Sequence, residues 1–234
     1  METQSRFILP TYESDETVAS LPRYFTQSDI AQHNSASDCW VSYLGKVLNL
    51  TSLIEKHKDS PADIAPFIEA AGTDISHWFK PKSGEFRTMD DPQSGLQKPY
   101  TPSGEVLHVL PPVPRTDLKI DFEEPWYKDP QFQVGFVTKK SRKIRLKNML
   151  TKDEHVLEVC CEETLGQIRA RYLARNAHAH SYTWKHLRRV LDMTKTLDEN
   201  GILDEDEEYA RLGMDRDDFI PTLHLYFNDD LTEA

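Results

Sequence analysis

In the first third of the chain, the pattern of hydrophobic and polar residues consists of short segments, some with the period of a strand and others with the period of a helix. Residues 39–50, CWVSYLGKVLNL, contain two apolar runs on either side of a Leu-Gly pair, which predicts two short strands joined by a turn. Leu53, Ile54 and His57 follow at helical spacing and predict a short helix capped by Thr51. This part of the chain is therefore predicted to combine a small sheet with short helices.

Two further helices are predicted in the same third. Thr26 or Ser28 can cap a short helix through residues 29–34, DIAQHN. Residues 61–72, PADIAPFIEAAG, begin with a proline suited to a first helical turn, carry apolar residues on one face and end at a glycine.

The region from about residue 80 to residue 138 holds most of the prolines of the chain. Proline favours extended backbone, so one strand at residues 105–110, EVLHVL, is the only regular element predicted here. The region contains five aromatic residues between positions 122 and 136, which indicates that it packs against another part of the protein or a partner. They are Phe122, Trp126, Tyr127, Phe132 and Phe136. We interpret residues 111–138 as a linker rich in proline and aromatic residues.

The last part of the chain has the pattern of a small sheet around one helix. Residues 143–150 and 155–161 alternate apolar and polar positions on either side of a polar turn, which predicts a hairpin. Residues 162–176 have the periodicity of an amphipathic helix. Three further strands are predicted at residues 182–187, 189–193 and 222–227.

These elements predict the α+β fold class. The 234 residues are enough for two small domains, each with its own core. We expect a polar tail at residues 1–20, a first domain at 21–110, the linker at 111–138 and a second domain at 139–234.

Composition narrows the classes of function. A net charge of −11 argues against a general nucleic-acid binder, because phosphate contacts need concentrated Lys and Arg. No apolar run is long enough to cross a bilayer, so we expect no membrane partner. The three cysteines have no disulfide framework spacing, which favours a reducing, cytoplasmic compartment.

Charge is unevenly spread along the chain. Residues 198–218 contain ten acidic side chains, whereas residues 139–147, KKSRKIRLK, contain six basic ones. Either stretch alone is more simply interpreted as a solvated face. Both on one chain favour docking onto a charged assembly.

Residues 23–79 resemble the cytochrome b5 family over nearly the whole of that fold. The resemblance is carried by RYFTQSDIAQHNSASDCWVSYLGKVLNLTSLIEKH and by AGTDISHWF. It implies a heme b cofactor with His57 as an axial iron ligand, because His57 matches the histidine of the family's His-Pro-Gly-Gly motif. The chain departs from that motif at residues 58–60, Lys-Asp-Ser, where the family has a tight glycine turn against the porphyrin.

The second axial histidine of the family has no counterpart in the window that follows Phe79. Two alternatives are Met89, whose thioether can ligate heme iron, and His77. A simpler interpretation of His57 is a residue that ends a helix and binds the last carbonyls. The sequence leaves these possibilities open.

The last part of the chain resembles ubiquitin-like β-grasp domains. The matching stretches are HVLEVCCEETLGQIRARYL, LDENGI and PTLHLYF. The chain ends without a Gly-Gly pair, so the resemblance implies a docking module and not a conjugated modifier.

The two halves together resemble the cytochrome b5 domain-containing protein 1 family, with DISHWF, SYTW and LYFNDDLTE as further matching stretches. This resemblance implies a component of the ciliary axoneme, associated with the radial spoke stalk and its proteins, that binds heme in a redox-dependent way. The alternative is an electron-transfer protein of the cytochrome b5 type.

Other motifs add no enzymatic chemistry. His178 and His180 lie two residues apart without a third ligand at suitable spacing, which favours a polar turn. The stretch TLDENGILDEDEE resembles a calcium loop, but its first ligand position is Thr196, so an acidic loop is favoured. There is no phosphate loop or nucleophile elbow, and we expect that the protein is not an enzyme.

Overall fold

A computed structural model describes residues 20–90, 95–109 and 124–227. Within them the chain divides into two compact units, residues 25–137 and residues 138–227 with 20–24. Helices and sheets occur in both units, which confirms the α+β fold class. None of the described helices is long and apolar enough to span a bilayer. The tail expected at residues 1–20 lies outside the described residues except for its last one.

The first unit is built from short elements. Its strands are β1 (Tyr24–Phe25), β2 (Asn34–Ser35), β3 (Asp38–Tyr43), β4 (Lys46–Asn49), β5 (Thr88–Asp90), β6 (Gln97–Pro99) and β7 (Gln133–Val137). Its helices are α1 (Gln27–Ile30), α2 (Thr51–Lys56) and α3 (Pro61–Ala70), with short 3-10 turns at Ser76–Trp78 and Pro130–Phe132. One sheet has the order β1-β7-β4-β3-β2, and β5 pairs with β6 in a separate hairpin.

Local sequence signals explain several boundaries in this unit. Thr26 and Asp29 form a reciprocal capping box at α1, with N–O distances of 2.9 and 3.1 Å. Leu44 and Gly45 both have positive φ, 45° and 83°, as a two-residue hairpin turn between β3 and β4 requires. Thr51 does not cap α2 as expected. Its Oγ1 accepts a hydrogen bond from the Cys39 backbone N–H at 3.0 Å.

The segment interpreted as a linker is partly folded into the first unit. Its strand β7 pairs with β4, and the Trp126 side chain is fully buried in the core. The linker interpretation of residues 111–138 is therefore wrong for residues 124–137, whereas residues 110–123 lie outside the described residues. Proline fixes its own φ and restricts the preceding residue, but it does not keep nearby aromatic side chains out of a core.

Burial also decides what these aromatic residues can bind. Trp126 and Tyr127 are 0% and 6% exposed, so they stabilise the fold and cannot serve as contacts for a partner. The predicted strand at residues 105–110 does not form over its described part. Val106 is buried there without a strand partner.

The second unit has the predicted hairpin, helix and strands. Its elements are β8 (Ser141–Asn148), β9 (Glu154–Cys160), α4 (Leu165–Tyr172), β10 (Tyr182–His186), β11 (Arg189–Val190), α5 (Asp206–Arg211) and β12 (Thr222–Phe227). The sheet order is β11-β10-β12-β8-β9, with β12 parallel to β8 and the other pairs antiparallel. This order, with α4 packed on one face, is the β-grasp arrangement.

The acidic stretch of this unit is held to the sheet by cations. Arg142 is 5% exposed and donates a hydrogen bond from Nη1 to the Ile202 carbonyl at 2.8 Å. Asp198 pairs with the same guanidinium at 3.2 Å, and Lys140 pairs with Asp204 at 2.7 Å. Part of the charge that the sequence suggested for docking is therefore used within the fold.

Candidate heme site at His57

His57 ends helix α2 and directs its imidazole into the first unit. Leu53 and Ile54, on the preceding turn, are 3% and 4% exposed and fix this face of the helix against the core. Residues three and four positions apart share a helix face, so His57 is brought to the same side. The backbone N–H of His57 donates to both carbonyls of that turn, each at 3.2 Å.

The Nε2 atom of His57 is buried and has no hydrogen-bond partner among the described residues. A buried polar atom without a partner is uncommon in folded proteins and needs an explanation. The side chain does not follow the simpler expectation of a surface residue that binds the last carbonyls of its helix. A neutral imidazole nitrogen without another partner is a donor that heme iron takes from a protein.

The ring that faces His57 belongs to His108, which the sequence analysis did not select. The two ring centroids are 6.5 Å apart and the ring planes lie at 79°. His108 has a φ of 61°, a left-handed conformation that is uncommon for a residue other than glycine and often marks a functional position. It is the only histidine between residues 78 and 154, and this isolation was the one available signal in the sequence.

Trp126 positions residues 107–108 through two hydrogen bonds, one of them to His108. Its backbone N–H donates to His108 Nδ1 at 3.1 Å, and its indole Nε1–H donates to the Leu107 carbonyl at 2.9 Å. The indole itself packs edge-on against Phe67 with a centroid distance of 5.1 Å. The same residue therefore fills the core and positions the histidine opposite His57.

The spacing of the two histidines suits a shared metal. Metal–imidazole bonds are about 2 Å long, so two rings that bind one ion through their outer nitrogens have centroids roughly 6 Å apart. The described residues contain no group of three or more His, Cys, Asp or Glu side chains that could hold a bare ion. Heme would supply the other ligands of its iron itself, so His57 and His108 would be the residues to hold it.

The hydrogen bond to Trp126 sets the tautomer of His108. Because Nδ1 accepts a hydrogen bond from the Trp126 N–H, the neutral ring carries its own proton on Nε2. Ligation through Nε2 requires that this proton leave and that Nδ1 become the protonated nitrogen. The Trp126 hydrogen bond and iron ligation by His108 thus exclude one another.

The two second ligands proposed from sequence lie elsewhere. Met89 is on β5 and is 38% exposed, and His77 is exposed on the 3-10 turn whose next residue, Trp78, is buried. Neither forms a hydrogen bond or ring contact with His57 in the described part of the chain. The structure brings His57 together with His108 and not with these two residues.

The turn after His57 closes without glycine. The Ser60 N–H donates to the His57 carbonyl at 3.0 Å, and residues 58–60 all have negative φ. The turn that follows His57 therefore needs no glycine in this chain.

Thiol chemistry is suppressed in both units. Burial, with a smaller effect of the neighbouring Asp38 charge, raises the pKa of the Cys39 thiol to about 12. Burial also raises the pKa of Cys161, the half-buried member of the vicinal pair. Both groups stay protonated at neutral pH, so neither has the thiolate that oxidants attack.

Comparison with known proteins identifies the class. Residues 26–100 match the family described as Cytochrome b5-like Heme/Steroid binding domain. This match covers His57, His77 and Met89 but stops before His108, so the second histidine is a property of this structure and not of the matched pattern. Together with the β-grasp strand order of the second unit, this family match defines a protein that joins a cytochrome b5-like domain to a ubiquitin-like domain.

Full-length relatives share both parts. The Xenopus laevis protein "Cytochrome b5 domain-containing protein 1" is 53% identical over 212 residues, which cover 91% of this chain and 97% of the relative. The Homo sapiens protein of that name is 48% identical over 211 residues, covering 90% and 92% of the two chains. The chain belongs to the family of cytochrome b5 domain-containing protein 1.

A solved structure aligns with part of the chain. The ubl5 domain from the polyubiquitin locus of T. thermophila matches 40% of this chain over the whole of that domain, at 16% identity and a TM-score of 0.30.

Proposed function

We propose that this protein is a non-enzymatic structural and regulatory component of the ciliary axoneme that binds heme b through His57. The observation that carries the heme part is the buried, unpartnered Nε2 of His57 opposite His108. The location, at the radial spoke stalk and in support of ciliary beating, is supported by membership of the family.

His57 is the permanent ligand in this proposal and His108 the exchangeable one. Heme, when bound, supplies an iron that changes between ferric and ferrous states. Two imidazole ligands favour the ferric state, so the site binds heme more tightly under oxidising conditions.

The alternative function is electron transfer of the cytochrome b5 type. Rapid electron transfer requires an iron site that keeps the same ligands in both oxidation states. Here one of the two histidines is tied to Trp126 by a hydrogen bond that excludes ligation. This arrangement favours a site that reports redox state over one that relays electrons.

Heme titration of the purified full chain tests the cofactor. We expect a Soret band that saturates at one heme per chain, with tighter binding in oxidising than in reducing buffer. Absorbance at fixed protein and increasing heme gives both affinities. A chain that shows no Soret band at equimolar heme would make the first unit a packing domain only.

Extraction of demembranated axonemes tests the location. The proposed structural component should stay with the axoneme in a low-salt wash and leave only as salt weakens charged contacts. Immunoblots of pellet and supernatant across a salt series measure this. Complete release in the low-salt wash would contradict the axonemal role without affecting the heme proposal.

A further inference from the structure

The turn between β10 and β11 holds two large side chains in an unfavourable backbone conformation. Leu187 and Arg188 have φ angles of 44° and 69°. A two-residue turn of this kind normally takes Asn and Gly, because a Cβ destabilises the left-handed conformation. The chain therefore keeps a leucine and an arginine at this turn at a cost in stability.

The apolar side chains near this turn are exposed. Leu187 is 78% exposed and Val190 is 66% exposed, so neither contributes to the core of the second unit. Tyr226, on the same outward face of the sheet, is 40% exposed and lies beneath the Lys185 ammonium at 4.7 Å from its ring centroid. Exposed leucine, valine and tyrosine side chains that lie close together are typical of a binding surface.

The cations around these side chains lack acidic partners. Arg188 and Arg189 are exposed and form no ion pair with any residue in the described ranges, and the same holds for Lys185. Other lysines of this unit are paired, for example Lys143 with Asp217 at 2.8 Å. Unpaired positive charge is thus concentrated at one end of the sheet, in a chain whose net charge is −11.

Strand register places two further side chains in line with Lys185. In the antiparallel pair of β10 and β12, Lys185 lies opposite His224, and in the parallel pair of β12 and β8, His224 lies opposite Lys147. The Lys147 ammonium pairs with Glu154, so it does not add to the unpaired positive charge. We use the term hairpin patch for the surface formed by six residues, which are Lys185, Leu187, Arg188, Arg189, Val190 and Tyr226.

We propose that the hairpin patch is a docking site for an acidic protein segment that also carries apolar side chains. Arginine and tyrosine are favoured anchors of protein interfaces, and the unpaired cations complement carboxylates. The overall negative charge of the chain repels a polyanion such as nucleic acid or an anionic bilayer, which would have to approach more than this small patch. The exposed Leu187 and Val190 add apolar contacts that a purely electrostatic site would not need.

Fluorescence anisotropy on the full chain tests the site with defined probes. The main probe is a short labelled peptide of glutamate and leucine, compared with a glutamate–serine peptide of equal charge and with a lysine–leucine peptide. We expect the glutamate–leucine peptide to bind most tightly and its affinity to fall as salt rises. The double variant Arg188→Glu/Arg189→Glu should weaken it by at least about tenfold.

Two control variants separate recognition from folding. Lys139→Glu/Lys152→Glu makes the same charge change at exposed positions outside the patch and should leave the affinity nearly unchanged. Leu187→Asn/Arg188→Gly relieves the backbone of the turn, so it should raise the melting temperature while peptide binding is lost. A rise in stability combined with a loss of binding cannot come from misfolding.

Three results would overturn the proposal. One is equal peptide binding by the wild-type chain and Arg188→Glu/Arg189→Glu. Another is retention of full affinity by Leu187→Asn/Arg188→Gly. The third is preferential binding of a DNA duplex or of phosphatidylserine vesicles over the glutamate–leucine peptide, which would mean that the patch recognises a different class of partner.

Discussion

Replacing Trp126 with alanine should lower the free energy of unfolding of the first unit by about 3–5 kcal/mol. The indole is fully buried and packs edge-on against Phe67 with ring centroids 5.1 Å apart. Its Nε1–H is the hydrogen-bond donor to the Leu107 carbonyl, which would lose its partner. The loss combines a large cavity with an unsatisfied backbone group, and both effects destabilise.

Phe136→Ala is the matched control for this prediction. Phe136 belongs to the same segment, on β7, but its side chain is 38% exposed, so its removal should cost about 1 kcal/mol or less. Hydrogen exchange resolved by mass spectrometry measures the two units separately. Amides of residues 39–50 should exchange faster in Trp126→Ala, while those of residues 144–159 act as the internal reference. Unchanged exchange in residues 39–50 would restore the interpretation of residues 124–137 as a linker.

The fold was predictable where short-range rules decide the structure. The alternation of residues 143–150 and 155–161 specified the hairpin of the second unit, since one face of each strand must reach the core. Gly45 indicated the turn between β3 and β4, because glycine adopts positive φ without steric cost, and Leu44 takes a positive φ beside it. These features depend on neighbours within a few residues, and no tertiary contact overrides them.

The fate of the proline-rich region was not predictable in the same way. Proline was taken to indicate extended chain here, but residues 125–128 form a turn in which the Lys128 N–H donates to the Pro125 carbonyl at 2.8 Å. What decides the fold of this region is the burial of Trp126 against Phe67, 59 positions earlier in the numbering of the chain. Local composition carries no information on that contact.

The candidate site also contains one residue that local sequence rules could select and one that they could not. His57 was selected by its match to the motif of the cytochrome b5 family, and the local spacing of Leu53 and Ile54 predicted the inward side of its helix. His108 reaches the site through Trp126, so no spacing rule selects it. Met89 was selected by its distance along the chain from Phe79, but β5 pairs with β6 and leaves this side chain at the surface.

The affinity of the full chain for heme should fall by at least about a hundredfold in His57→Ala, because the ligand itself is lost. His108→Ala should weaken binding about tenfold and change the Soret maximum, since His108 would be one of the two residues that hold the heme. His77→Ala and Met89→Ala are the matched controls and should bind heme as the wild-type chain does, because both side chains lie at the surface. His57→Ala should keep its stability, since removal of a buried nitrogen without a partner deletes no hydrogen bond.

The Trp126 amide gives a second measurement that does not depend on absorbance. The Trp126 N–H donates a hydrogen bond to His108 Nδ1 at 3.1 Å. This hydrogen bond would break if His108 held the heme. Added heme should therefore increase hydrogen exchange at the Trp126 amide in the wild-type chain while it protects the end of α2 around His57. In His108→Ala the amide has already lost its acceptor, so heme should cause no further increase there. If heme instead protects the Trp126 amide and His108→Ala binds with full affinity, His57 has a different second ligand and His108 serves only to hold residues 107–108 against the core.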